Sequence, residues 1–473
     1  MKVVVTSRQT IKPSNPTPQH LRQLKLSFLD QIQQPHFVPL IYFYASSNSG
    51  LNKATNDRRR SEKLKESLSE TLSWFYPLAG RVKDNLFFDC NDQGVPFFEA
   101  QVQSSLDHVV GQSKSNSQLN YLFPYLDFDD AGDLLLAVQL NFFDCGGMAI
   151  GLCTSHKIAD ALSIVMFLKF WATVSRGDHS NLVYPQFGSA NIFPPTLNPN
   201  LNHYKRGVGT TKNKIIAKSF VFSDSAICTL NAKYTPTTTA AAPATTTATI
   251  VTVNNKTIHN NPTRVEALST FIWCRYKAAT RGEMVCGEGI RYPVIQGVNL
   301  RTRLNPPLPN SYYGNLSRFA IAILAPPALE KGAIGEDCGS LVSQMRDGIK
   351  KVNSDYVRKL QEGGGGMGGL NSKKEEGGNK GGEEGGGDAV FTLAFSSIAR
   401  FPLYETDFGW GRPVWVTFGV VNLDNMVVFF PTKSGDGIEA FICMNKGDLA
   451  KLETDIEFLS FVSNPKFPLL SSL

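Results

Sequence analysis

Seven histidines are the only imidazoles this chain has for acid–base work, and their settings differ. His20, His36, His108, His179, His203 and His259 have polar or linker neighbours and no acid partner nearby in sequence, which predicts surface imidazoles. His156 stands in Cys153-Thr-Ser-His-Lys-Ile-Ala-Asp160, after an apolar strand and before an apolar helix. A strand-to-helix junction places a side chain at the mouth of an α/β layer, where a general base can reach a ligand. Asp160, four residues on, shares a helical face with His156 if the helix already includes the histidine. By itself H-x-x-x-D is a common spacing, and a helical His–Asp pair or a satisfied core histidine explains it equally well.

Other reactive groups are less well placed. No G-x-S-x-G elbow is present to carry an acyl-enzyme. Cys145 and Cys153 flank the strand before His156 and read better as buried structural thiols than as nucleophiles. A metal centre would need a third ligand at recognisable spacing from His156 and Asp160, so no metal is expected. Thr263-x-x-Glu266, after Pro262, is a capping box that opens a helix. Its free N–H groups and the Arg264 guanidinium suit a phosphate, and a simple N-cap fits the same residues. Asp407-Phe-Gly-Trp-Gly-Arg-Pro413 is a rigid turn whose glycines and aromatics point to bracing rather than reaction.

The elements that must position these groups follow from periodicity. Leu64, Leu68, Leu72 and Phe75 predict an amphipathic helix over Ser61–Phe75, ended by Tyr76-Pro77. Leu134–Phe143 and Met148–Cys153 read as buried strands joined at Gly146-Gly147. Ala161, Ile164, Val165, Leu168, Trp171 and Ala172 predict a helix over Ala159–Val174. Ile215–Phe222 reads as a strand, after a proline- and asparagine-rich segment from Phe193 to Tyr204 that looks like a crossover between halves. Residues 234–249 and 362–388 are low-complexity inserts, too poor in apolar surface to offset ordering. The second contains a G-x-G-x-x-G match (Gly363, Gly365, Gly368) that a glycine tract produces by chance, with no strand before it. The fold expected is mixed α/β in two halves.

Composition narrows the function classes. With 42% hydrophobic and 19% charged residues the chain has ample core material and is not a disordered or fibrous protein. No stretch approaches the ~20 apolar residues of a membrane span, and the N-terminus lacks a secretory h-region. Eight scattered cysteines without a C-x-x-C pair argue against a disulfide scaffold or structural zinc and fit a reducing compartment. The net charge of +6 is small for 473 residues, and Arg58-Arg59-Arg60 reads as a solvated stretch rather than a nucleic-acid site.

His156-x-x-x-Asp160 followed, far downstream, by Asp407-Phe-Gly-Trp-Gly resembles the plant BAHD acyltransferases, in particular their alkaloid O-acetyltransferase branch. The resemblance covers nearly the whole chain, through Leu26-Ser-Phe-Leu-Asp-Gln31, Phe75-Tyr-Pro-Leu-Ala-Gly-Arg81, Phe143-Asp-Cys-Gly-Gly147, Asn299-Leu-Arg-x-Arg303, Tyr313-Gly-Asn315 and Asp436-Gly-Ile-Glu-Ala440. It implies a two-domain fold like chloramphenicol acetyltransferase, each domain a mixed β-sheet with flanking helices, and an active-site channel between them. The expected division is 1–200, a linker at 201–215, and 216–473, with about 389–405 joining the N-terminal domain.

The resemblance further implies transfer of an acyl group from coenzyme A to an alcohol or amine, with His156 as general base and no acyl-enzyme. It implies that Asp160 turns away to pair with Arg301, although an orienting role on His156 stays open. Ser396 stands where relatives supply an oxyanion donor, and Ile398 where a tryptophan is common. Thr263 and Arg264 become candidate coenzyme A contacts, and Asp407, Gly409, Trp410 and Gly411 a structural brace. The expectation is a soluble, cytoplasmic monomer. It would move acetyl, or another small acyl group, from acyl-CoA to a hydroxyl of a plant specialised metabolite, possibly an alkaloid, with no permanently bound cofactor, no nucleic acid and no membrane. N-acylation, an aromatic or medium-chain donor, and a non-catalytic binding role are the alternatives. Metal-dependent hydrolysis is the least supported.

Overall fold

The computed structural model describes residues 1–46, 50, 52–111, 116–124, 131–197, 215–235, 252–253, 256–257, 261–280, 292–324, 336–362, 392–420 and 425–463. The 201–214 part of the expected linker and nearly all of both low-complexity inserts lie outside the described residues, as do His203 and His259.

Two mixed sheets organise the chain. In chain order the main strands are β1 (Lys2–Ile11), β2 (Phe37–Tyr44), β3 (Val95–Gln103), β4 (Leu136–Phe143), β5 (Met148–Ser155), β6 (Ile215–Phe222), β7 (Tyr292–Asn299) and β8 (Ser317–Leu324). They continue with β9 (Leu393–Ser397), β10 (Trp415–Phe418), β11 (Met426–Pro431), β12 (Ile438–Asn445) and β13 (Val462–Ser463). The first sheet has the order β1-β3-β4-β5-β2-β10 and the second β8-β7-β9-β11-β12-β6-β13. Helices α1 (Lys53–Trp74) and α2 (Ala161–Arg176) accompany the first sheet, α3 (Arg264–Thr280) and α4 (Glu336–Lys351) the second.

Strand alternation explains the layers. In β4, Leu136, Val138, Leu140 and Phe142 pack in one core with Leu64, Leu68 and Leu72 of α1 and Leu168 and Trp171 of α2. Ala137 and Phe143, on the opposite face, join Leu106, Leu119, Leu122 and Phe123. With both faces covered, β4 and β5 are buried along their whole lengths. In the second sheet Val428, Phe430, Phe441 and Cys443 join the first sheet's core, and Val427, Phe429, Ala440 and Ile442 pack with α3 and α4. The seam between the sheets is therefore apolar and continuous.

Several local expectations change. Helix α1 begins at Lys53, eight residues before Ser61, because Asn52 caps it by accepting from Thr55 N (2.9 Å) ahead of the apolar stripe. The arginine run is not wholly solvated: Arg60 is buried, donates to Gly146 O (3.1 Å) and lies over the Trp410 ring. Residues 393–397, expected within the N-terminal domain, pair instead with β7 and β11 of the second sheet. The segment that crosses over is β10, which pairs with β2. Four residues carry no local signal of which sheet edge they join, since non-local partners decide the pairing. A disulfide between Cys274 and Cys338 links α3 to α4, which the scattered cysteines did not announce. Cys153 is buried as expected, whereas Cys145 is exposed, at a turn where its sulfur accepts from Leu106 N (3.2 Å). Among the described residues no helix is long and apolar enough to cross a membrane.

Candidate active site

Helix α2 starts at Ala161, not Ala159, and this changes the relation of the two signature residues. Asp160 is the N-cap, its Oδ1 accepting from Ser163 N (2.9 Å), and His156 lies before it in the turn after β5. They therefore do not share a helical face. Asp160 Oδ2 accepts from Arg301 Nη1 (2.7 Å) and Leu316 N (3.1 Å), and Oδ1 also from Arg301 Nη2 (3.2 Å). Burial alone would raise this carboxyl. The Arg301 charge and the hydrogen bonds outweigh it and hold the pKa below the usual carboxylate value. With both oxygens so occupied, Asp160 is in place to tie the halves together, and its contacts do not include the imidazole.

The partner of His156 is Asn315, at the entry to β8. Its Oδ1 lies 3.1 Å from His156 Nδ1. The Asn315 amide nitrogen donates to Asp30 Oδ1 (2.9 Å), His156 O (2.8 Å) and Lys157 O (3.2 Å), which fixes the amide orientation. Oδ1 must then accept, so Nδ1 carries the proton and Nε2 keeps its lone pair. Asp30 anchors Asn315 and is held in turn by Ser27 N (2.9 Å) and Ser27 Oγ (2.6 Å). Lys157 Nζ donates to Gln31 O (2.9 Å) and Asn85 Oδ1 (2.7 Å), and burial pushes its pKa down to about 8.

His36 is not a surface imidazole. Its carbonyl accepts from His156 N (2.8 Å), and its ring lies 5.2 Å from that of His156. Asn315, Asp30 and His36 escaped residue-by-residue reading because all three are distant in sequence from His156; the Tyr313-Gly-Asn315 and Leu26–Gln31 blocks, which carry Asn315 and Asp30, were the available signals.

Burial lowers the His156 pKa below the ordinary histidine value, against smaller opposing contributions from hydrogen bonds and from Asp160 and Asp30. The sign follows directly: the neutral, basic form persists to lower pH than for a free imidazole. We expect kcat/KM to rise with pH only below about 6.5 and to be flat above it. An inflection in the pH–rate profile well above that value would contradict this environment for the base. Replacing Asn315 by alanine removes the acceptor for Nδ1–H and should lower kcat by about tenfold, given ~1–3 kcal/mol for a lost buried hydrogen bond. Stopped-flow thiol release measures it.

None of the other candidates hydrogen-bonds to His156 among the described residues. Asp407 Oδ1 accepts from Gly409 N (2.7 Å) and Gly411 N (3.0 Å), closing a turn in which both glycines have positive φ, +104° and +106°. Side chains at these positions would be strained. Arg176 donates to Asp407 O, Ser175 Oγ to Phe408 O (2.9 Å), and Tyr44 Oη to Thr406 O (2.9 Å). Trp410 stacks on Phe408 and sits near Arg60 and Lys63. Ser175 and Arg176 end the 16-residue helix α2, whereas His156 precedes its start, so the turn lies roughly 24 Å along the helix from the imidazole.

Ser396 lies on β9, and on the seam face its neighbour Ile398 is buried in the shared core. Thr263 and Glu266 form the expected capping box (Thr263 N to Glu266 Oε2, 2.7 Å; Glu266 N to Thr263 Oγ1, 3.2 Å). Arg264 donates to Asp436 O and pairs with Asp224 (3.5 Å). Neither residue's hydrogen bonds reach His156.

Two mixed sheets sharing one seam make a two-domain α/β fold, with the His156 imidazole buried at the turn after the fifth strand and held by Asn315 from the other half. The chain matches the Transferase family over residues 1–459 and belongs to it; these are the BAHD acyltransferases. It is 33% identical to stemmadenine O-acetyltransferase of Catharanthus roseus over 97% of each chain. It superposes on the crystal structure of vinorine synthase with a TM-score of 0.76 and 31% identity, covering 98% of this chain and 99% of that one. The Fusarium graminearum TRI101 complex with coenzyme A and T-2 mycotoxin shares the fold at 16% identity, with a TM-score of 0.68 over 93% of this chain and 99% of that one. The protein is an acyl-CoA-dependent acyltransferase that takes the acyl-CoA as cosubstrate.

Proposed function

We propose that the protein transfers an acetyl group from acetyl-CoA to a hydroxyl of a plant specialised metabolite, an alkaloid in the first instance, with His156 as general base. The observation that carries this reading is the His156–Asn315 contact, which makes Nδ1 the donor and so leaves Nε2 as the basic nitrogen. An alcohol is too weak an acid to attack a thioester unaided. Nε2 takes the hydroxyl proton as oxygen bonds to the carbonyl carbon, and the tetrahedral oxyanion collapses with loss of the coenzyme A thiolate. The imidazolium returns its proton to that sulfur, so the base is regenerated without an acyl-enzyme.

Ser396 is read as the hydroxyl donor to the oxyanion, Thr263 and Arg264 as the phosphate end of the coenzyme site, and the Asp407–Gly411 turn as a brace. The acetyl donor and alkaloid acceptor are supported by the relatives' activities on stemmadenine and in vinorine synthesis. A cytoplasmic monomer completes the reading.

The test is release of coenzyme A from acetyl-CoA in the presence of pooled alkaloid and terpenoid alcohols, with the product identified by mass spectrometry. Acceptor-dependent release giving an acetate ester supports the reading. Release seen only with amines would replace it by N-acylation. No release with a wider panel of donors, from protein that still binds coenzyme A, would move it to a non-catalytic role.

A further inference from the structure

Five acidic side chains are buried among the described residues: Asp30, Asp57, Asp160, Glu266 and Glu439. Asp57 faces Lys53, Asp160 faces Arg301 and Glu266 faces Arg346. Asp30 is met by hydrogen bonds from Ser27 and Asn315 on both oxygens. Glu439 has neither arrangement. Its Oε2 accepts from Trp415 Nε1 at 3.3 Å, and Oε1 has only the Ser219 hydroxyl near it, outside good hydrogen-bond geometry. A buried carboxyl with a vacant acceptor costs free energy unless something else meets it.

Its position says where that partner would come from. On β12, Phe441 and Cys443 face the seam between the sheets and Ile438, Ala440 and Ile442 face away, so Glu439 shares the seam face. The register places Ser396 opposite Val428, Val428 opposite Phe441, and Glu439 opposite Phe430. Glu439 is thus two strands and one step from Ser396, about 12 Å at ~4.8 Å per strand and ~7 Å per residue pair. Phe418, Phe430 and Phe441 form a ring cluster on that wall, with centroids 4.9, 6.0 and 6.5 Å apart, and Phe418 is only half-buried. Tyr404 lies within range of the Glu439 charge. An acid with no cation bonded to it among the described residues, set among aromatic faces, is the chemistry that receives an ammonium group.

We propose that Glu439, with Phe418 and Phe430, is an acceptor-recognition subsite that takes the protonated amine of a basic alcohol while its hydroxyl is presented to His156. The inference rests on the acyl-transfer reading and adds the acceptor's charge to it. Burial pushes the Glu439 pKa up to about 7, and an arriving ammonium favours the ionised form.

The test compares quinuclidinol, cationic at neutral pH, with its all-carbon counterpart bicyclooctanol as acceptors for wild type and Glu439→Gln. The expected result is a KM for quinuclidinol raised about 10- to 100-fold in the variant, with the acetyl-CoA KM and the constants for the neutral alcohol unchanged. A purely structural Glu439 would shift both alcohols together, and that outcome overturns the proposal, as does no shift in either. Should the variant not fold, calorimetric binding of the two probes to wild type decides it: equal affinity overturns the subsite, at least tenfold tighter binding of the cation supports it. Because binding needs no turnover, this arm reads Glu439 even if acyl transfer itself fails, which would sink the broader reading alone.

Discussion

His156→Ala should retain its fold and lose about 10²–10⁴ in kcat, with the KM for acetyl-CoA little changed. Removing the imidazole deletes the group proposed to accept the hydroxyl proton. The remaining rate comes from bringing thioester and alcohol together on the protein and from oxyanion donors. The scaffold should survive because Asn315 is still held by Asp30 through both its side-chain and backbone nitrogens. The measurement is coenzyme A release at saturating acetyl-CoA, alongside near-ultraviolet circular dichroism to verify the fold. A folded variant with more than a tenth of wild-type kcat would assign the base to another residue.

Asp160→Ala should instead act through stability, costing about 3–5 kcal/mol, because it strands a fully buried guanidinium. Arg301 has no exposed side-chain surface, and its other donors bind Tyr312 O, Gly314 O and Ser163 Oγ. The same substitution removes the N-cap of α2, typically a further ~1 kcal/mol, and leaves Leu316 N without its acceptor. Activity should then fall because the loop 312–314 that leads into Asn315 loses its anchor and the folded fraction drops. Urea unfolding gives the number. An Asp160→Ala protein with wild-type stability and no activity would restore the orienting role that its hydrogen bonds now argue against. Asp160→Asn, which keeps the cap but not the charge, should fall between the two.

The contrast between these two residues shows how far local sequence reaches. The buried strands around His156, the helix behind it and the capping box at Thr263 follow from period and capping chemistry, which act over a few residues. The imidazole's candidacy was legible for the same reason, since a polar residue at a strand–helix junction between apolar runs is exposed to whatever the layer binds. Asp160 shows the limit: the spacing placed it near His156, but α2 begins only at Ala161, past both residues, which makes Asp160 a cap facing Arg301.

What this sequence by itself determines is the set of elements, the mixed α/β class, the family motifs and the residue best suited to remove a proton. What only the tertiary structure decides is who meets whom across the seam. Asn315 and Asp30 set the tautomer of His156 from positions 159 and 126 residues away, as Arg301 fixes Asp160 from 141 residues away. Strand β10 leaves its neighbours to close the opposite sheet. Glu439 reads in the sequence only as part of the Asp436–Ala440 block, and it stands out in the structure because it is buried beside Trp415 with no cation bonded to it among the described residues. Hydrogen bonding and desolvation depend on distance in space, and a one-dimensional pattern carries that information only where the chain returns to itself within a turn or two.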